Sequence, residues 1–285
     1  MAAARAVLVD GPPGTGRTRL AQELALQCEA AGVAHEWWPA TRGGHPLMRS
    51  FDPAIYPSLE TYGSVLEVQW QNFAIRADTT EQLYLFDGAL LQAGFRTLLA
   101  AGADADAVAG IAVRLIQALE GLEPTVLYLS LREAPPNADA DWNAWRDCCD
   151  GVFAGLSQHR LLINASRASA RQRLQDALDF LDLRHRSLDI DADHLGRLVG
   201  RYGSGDEQIS IDAGTDLDSL EPTIALPGGR GARSLLASSD GSFLVAGSDL
   251  KILPREHSGA IAGLLLETGD PHFATLPTWL PRAED

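Results

Sequence analysis

The segment Gly11-Pro12-Pro13-Gly14-Thr15-Gly16-Arg17-Thr18 carries the clearest chemical content in this chain, and it follows directly on the apolar run Val7-Leu8-Val9-Asp10. Its spacing is Gly-x-x-x-x-Gly-Arg-Thr. Glycines at 11, 14 and 16 let the backbone curl so that successive N–H groups converge on an anion, with Pro12, Pro13 and Thr15 completing the loop. A helix beginning at about Arg17 adds the positive end of its dipole to the same place. The Thr18 hydroxyl is suited to a magnesium ion. The expected ligand is a nucleoside triphosphate, ATP or GTP, with Mg2+ as its companion ion. Arg17 stands where such phosphate loops carry lysine. Its planar fork keeps the charge but is bulkier and suits bidentate contacts, so nucleotide binding is expected while efficient transfer is the less secure half of the reading.

Two acids are candidates to work beside the loop. Asp87 ends the apolar run Leu83-Tyr84-Leu85-Phe86, where it would hold magnesium-bound water or accept a substrate proton. The competing reading is an acid that caps the next element, since Gly88 and Ala89 follow. Asp10, immediately before the loop, would fill the same role from a neighbouring strand or serve only as the polar end of its own. Arg17, Asp87 and Asp10 are therefore the catalytic candidates, with Thr18 and Asp87 as the magnesium ligands. Glu36, Trp37, Trp38, Arg42 and His45 belong to the densest polar and aromatic stretch of this region and are the candidates for acceptor binding. An indole could stack on a planar acceptor and Arg42 could pair with an anionic group, whereas strand alternation would send one tryptophan into the core.

Other chemistries find less support. His35 and His45 are ten positions apart, and His185, His194, His257 and His272 are scattered, with no metal-binding spacing. There is no Gly-x-Ser-x-Gly elbow for a hydrolase. Cys28 and the adjacent Cys148 and Cys149 make neither a disulfide ladder nor a zinc pair. Trp142 and Trp145, three apart, read as one packed helix face.

Apolar runs and helical periods position these residues. Strands are expected at about 7–10, 33–38, 83–87, 124–130 and 161–164, alternating with helices at about 17–31, 59–77, 90–101, 105–122, 139–157 and 169–181. Along 59–77, Val65, Val68, Gln69, Phe73 and Ile75 partly share a face. Short buried strands alternating with helices imply a parallel sheet covered on both faces, with ligands beyond the carboxyl ends of its strands. Asp10, Glu36, Asp87, Ser130 and Asn164 are expected at those ends. Beyond Arg186 the pattern becomes short alternating runs, at 208–211, 242–245, 250–253 and 260–266, separated by turn residues. These predict a smaller, mainly antiparallel β domain, a barrel or sandwich. The expected division is 1–188 and 189–285, with the acidic tract Asp212–Glu221 as a solvated turn region.

Composition bounds the partners. The chain of 285 residues is long enough for one large or two ordinary domains, and its 46% hydrophobic and 21% charged residues suit a soluble globular protein. A formal net charge of −15 argues against nonspecific binding to nucleic acid or anionic membranes, while a homodimer is compatible with it. The first apolar run is too short for a signal peptide or a membrane span, so a cytoplasmic location is expected.

The order of phosphate loop, strand ending in an acid, and Pro124-Thr125-Val126-Leu127-Tyr128-Leu129 resembles the P-loop kinases of the thymidylate-kinase-like group, over about Met1–Leu183. Within it, Asp87-Gly88-Ala89-Leu90-Leu91-Gln92 is similar to an acid-Gly-x-Leu-x-Gln signature of small-molecule kinase-like proteins, and His45-Pro46 matches a His-Pro pair those proteins tend to carry. This chain departs in Arg17 and in a lid-like segment offering only Arg132 and Arg146. The resemblance implies a P-loop NTPase sheet and an ATP-dependent phosphotransferase acting on a small hydroxylated acceptor. The alternative is a nucleotide-binding regulator with little turnover, and an NTPase using water as acceptor is a third reading. Leu195-Gly196-Arg197-Leu198-Val199-Gly200-Arg201-Tyr202 with Ile209-Ser210-Ile211 resembles the opening of small lipocalin-like barrels appended to bacterial hydrolases. A plain sandwich fits that pattern as well.

Overall fold

The computed structural model describes residues 4–136, 138–186, 188, 192–213, 222–227, 231–270 and 273–283. The chain folds as two compact units. One comprises Met1–Cys28, Gly32–Ala40 and Gly44–His185; the other is Arg186–Asp285 with the short stretches Glu29–Ala31 and Thr41–Gly43. Arg42 falls to the second unit. Among the described residues no helix is long and apolar enough to cross a membrane.

The first unit is a five-stranded parallel sheet in the order β2-β3-β1-β4-β5, flanked by helices. Its elements run β1 (Ala6–Asp10), α1 (Arg17–Ala30), β2 (His35–Trp38), α2 (Leu59–Ala77), β3 (Leu83–Asp87), α3 (Ala93–Ala100), α4 (Ala105–Gln117), β4 (Thr125–Ser130), α5 (Trp142–Gly155), β5 (His159–Asn164) and α6 (Ala170–Phe180). β1 and β3 are buried along their whole length, as continuous apolar runs in a parallel sheet must be. One face of the sheet packs Leu8, Phe86 and Tyr128 against Tyr62, Leu66 and Trp70 of α2 and against α4 and α5. The other face packs Val7, Val9 and Leu85 against Leu20 and Leu24 of α1 and Leu178 of α6.

Three sequence expectations change. α2 starts at Leu59 because Ser58 caps it through Thr61 N–H at 3.2 Å. Its buried face, however, is Tyr62, Leu66, Trp70, Phe73 and Ala77, leaving Val68 and Ile75 exposed. The helix expected from Leu90 begins only at Ala93: Gln92 before it is extended (ψ 160°), and the Leu90 and Leu91 N–H groups bond the Asp10 carboxylate. The helix expected to reach Leu122 ends at Gln117, followed by a 3₁₀ turn at Glu120–Leu122 and a left-handed Glu123.

The second unit opens with a short helix α7 (Ala192–Leu198) where part of the expected opening strand pattern lay. An antiparallel meander follows: β6 (Gly200–Tyr202), β7 (Ile209–Asp212), β8 (Thr223–Ala225), β9 (Ala232–Ala237), β10 (Phe243–Val245), β11 (Lys251–His257), β12 (Ala260–Glu267) and β13 (Trp279–Pro281). Tyr202 bridges Arg282, the Gly203 N–H donates to Pro281 O at 2.8 Å and the Ala283 N–H to Arg201 O at 2.9 Å. These contacts tie first strand to last, so the eight strands form a nearly closed, barrel-like sheet and not an open sandwich. Its core is packed with side chains including Tyr202, Ile211, Phe243, Ile252 and Leu264. His272 and positions 214–221 of the acidic tract lie outside the described residues.

Candidate active site

Four of the five residues expected at the carboxyl edge of the sheet are there: Asp10, Asp87, Ser130 and Asn164 each end a strand. Glu36 is not. It lies inside β2 opposite Tyr84, and its Oε2 accepts from Gln82 Nε2 at 3.1 Å, on the side where β3 begins. β2 runs on to Trp38, so position 36 stops short of the edge.

The loop from Gly11 to Gly16 joins β1 to α1, and its carbonyls are tied back. Gly11 O accepts from Arg17 Nη1 at 2.7 Å, and Pro12 O accepts from the Thr15 hydroxyl at 2.9 Å. Pro13 O accepts from Trp142 Nε1 at 3.1 Å, and Thr15 O accepts from Arg173 Nη1 at 2.7 Å. Gly16 O accepts from the Leu20 N–H within the first turn of the helix. By contrast, no acceptor among the described residues meets the N–H groups of Gly14, Gly16, Arg17 and Thr18. Five loop carbonyls are thus bonded and four donors are left over, the polarity that an anion needs.

Asp87 meets the loop from β3 and is only 1% exposed. Its Oδ2 accepts the Thr18 hydroxyl at 2.7 Å. Its Oδ1 makes an ionic contact of 3.2 Å with Arg17 Nε but accepts no hydrogen bond, which leaves a buried carboxylate oxygen short of a donor. That shortfall suits magnesium, whose bound water would donate there while the Thr18 oxygen serves as a hard ligand.

Asp10, on the adjacent strand, is fully buried and accepts from the Leu90 and Leu91 N–H groups at 3.2 and 3.1 Å. Burial pushes its carboxyl up to about 7, against the opposing influence of the Arg17 charge and those two hydrogen bonds. The bonds make it the fastener of the Asp87–Gln92 turn. The raised value has a consequence for folding. An unfolded Asp10 ionises near pH 3.8 and the folded one only near 7, so its contribution to stability falls as pH rises through that window and levels off above it. The difference corresponds to roughly 4 kcal/mol at full ionisation. Urea unfolding of the wild type and Asp10→Asn between pH 4.5 and 8 should show this extra slope only in the wild type; parallel profiles would contradict it.

The acceptor candidates are not brought together as a group. Trp37 packs on the α1 face of the sheet and Trp38 on the α2 face, so both indoles serve the cores. His45 is buried, and its Nδ1 accepts from the Leu47 and Met48 N–H groups at 3.1 and 3.0 Å, a role that requires this nitrogen to be unprotonated. Its ring lies edge-on to Trp38 with centroids 5.7 Å apart. Residues not singled out from sequence stand closer to the Asp87 turn. Buried Gln92 accepts through Oε1 from the Tyr62 hydroxyl at 3.0 Å and the Arg49 N–H at 3.3 Å. Arg49 also lines a cavity of about 520 Å³ with Ser64, Gln69, Asn72 and Arg76. Gln92 had a sequence signal, the Asp-Gly-x-Leu-x-Gln pattern; Arg49, Trp142 and Arg173 had none.

No protein-family model matches the chain, and no curated protein matches it. Among the described residues no group of three or more His, Cys, Asp or Glu is arranged to hold a metal ion by side chains alone. A magnesium ion at Thr18 and Asp87 would share its coordination with phosphate oxygens and water.

Proposed function

We propose that the first unit is a P-loop kinase-like domain of the thymidylate-kinase-like group, which binds ATP or GTP with Mg2+ at Gly11–Thr18 and transfers the γ-phosphoryl group to a small hydroxylated acceptor. The observation that carries this reading is the polarity of the loop: five carbonyls tied back and four N–H groups without acceptors, at the point where the Thr18 hydroxyl meets Asp87. Magnesium, held by Thr18 and through water by Asp87, would neutralise charge on the β- and γ-phosphates. The loop N–H groups would fix the phosphates. Asp87 would orient or deprotonate the acceptor hydroxyl, and the remaining catalysis would be positioning. Arg49 and Arg76 line a cavity with Ser64, Gln69 and Asn72, and their charges would suit an acceptor bearing a negative group.

The test is ATP consumption by the purified protein against a panel of hydroxylated carboxylates and phosphates. Turnover that saturates with one class of acceptor supports a kinase; consumption independent of every acceptor points to an NTPase.

A second reading, a nucleotide-binding regulator with little turnover, is favoured by Arg17 itself, which is already engaged by Gly11 O and Asp87. In that reading the barrel-like unit, lipocalin-like by sequence, carries recognition of a partner. A rise in turnover on Arg17→Lys would separate it from the first.

A further inference from the structure

Arg17 does more than replace a lysine charge, because its fork is built into a seat. Nε lies 3.2 Å from Asp87 Oδ1, while Nη1 donates to Gly11 O at 2.7 Å. The floor of the seat is Gly88, with φ +67°, whose missing side chain leaves the space the guanidinium fills. A Cβ there would come within 2.9 Å of Arg17 Cζ and Nη2 and 3.0 Å of Nε. Gly88 is itself fixed by its N–H bond to Val9 O at 2.9 Å. The flat, delocalised group thus touches a buried carboxylate and the loop backbone at once, and Nη2 has no partner among the described residues. A lysine ammonium at this position is a compact point charge and leaves the space over Gly88 unfilled.

We propose that Arg17, seated on Asp87 and Gly88, supplies at the phosphates the counter-charge that a divalent cation otherwise provides, so that nucleotide binding at this loop survives removal of magnesium. The inference rests on the nucleotide reading of the loop given above. Asp10 and Asp87 are two buried acids at the strand ends beside the loop, and Asp87 is covered there by the Thr18 hydroxyl and the Arg17 guanidinium. In a loop with lysine, removal of the metal exposes that carboxylate to the phosphates. Here the guanidinium stays paired with Asp87, and its Nη2, over Gly88, keeps donors that no described residue uses. Magnesium remains useful for transfer but is not what makes binding favourable. The closeness of Arg17 to Asp87 Oδ1 also means that metal and guanidinium share one oxygen, so each weakens the other's hold.

The experiment is a fluorescence titration of the full chain with N-methylanthraniloyl-ATP, in Mg2+ and in EDTA. For the wild type, Kd should rise by less than about threefold in EDTA, while Arg17→Lys, which lacks the planar group that fills the Gly88 seat, should lose at least about tenfold. Gly88→Ala, which fills the seat, should acquire the same metal dependence as Arg17→Lys. A wild-type loss of tenfold or more in EDTA overturns the proposal without either variant, and so does a Gly88→Ala protein that binds as well in EDTA as in Mg2+. Absence of binding in both buffers would instead remove the nucleotide reading, and this inference with it. The two failures are therefore distinguishable.

Discussion

Replacing Asp87 by asparagine is expected to lower ATP consumption at least about a hundredfold, the scale associated with losing a positioned acid–base group. Asparagine keeps the shape and can still accept the Thr18 hydroxyl bond now 2.7 Å long. It loses the charge that faces Arg17 Nε at 3.2 Å and presents either an amide donor or a neutral oxygen in its place. The partner guanidinium retains some contact with solvent, so the stability cost should be moderate, about 1–3 kcal/mol and not the full cost of orphaning a buried ion. Steady-state kinetics and urea unfolding on the same preparation separate the two effects. A variant with unchanged turnover would remove Asp87 from the chemistry and leave it a structural partner of Thr18 and Arg17.

Gly11→Ala is expected to destabilise the first unit by about 2–5 kcal/mol, from a strained backbone and an overpacked contact together. Gly11 has φ +148°, and a Cβ there would lie 2.3 Å from the Leu129 carbonyl oxygen and 3.2 Å from its carbon. That obstacle is backbone of β4, which is held in register between β1 and β5 and cannot move aside. Any relief must come from the loop, which would turn the N–H groups out of line and abolish nucleotide binding as well. Tryptophan fluorescence follows the right unit, since Trp37, Trp38, Trp70, Trp142 and Trp145 lie in it and only Trp279 lies in the other. A loss under about 0.5 kcal/mol, the ordinary effect of a surface substitution, would show that the approach to β4 is looser than these distances.

The parts of the molecule legible in sequence are those set by local patterns. Glycine spacing marks the loop, uninterrupted apolar runs mark β1 and β3, and the acid ending each run is where the structure has it. The rest depends on partners far along the chain. Trp142 and Arg173 brace loop carbonyls from 129 and 158 residues downstream, and no spacing rule connects them to Pro13 or Thr15. The turn before α3 is tied to Asp10 from 80 and 81 residues away, a link no local pattern shows. The buried stripe of α2 escapes the pattern because Val68 and Ile75 are apolar yet exposed, and hydrophobicity alone does not say which side of a helix meets the core. In the second unit, β8 has three residues, and β9 mixes Arg233 and Ser234 with Leu235 and Leu236, so neither displays clean alternation. Closure of the barrel is invisible for the same reason as the loop braces: Tyr202 and Arg282 stand at opposite ends of the meander.

The most direct test of the central claim is calorimetric titration of the full chain with Mg2+-ATP, repeated with Mg2+-GTP. The account predicts saturable binding of one nucleotide per chain to at least one of them, lost when Gly11 is replaced by alanine in protein shown to be folded. Absence of heat with both nucleotides, from wild-type protein of normal stability, would contradict it and leave the loop a braced turn with no ligand.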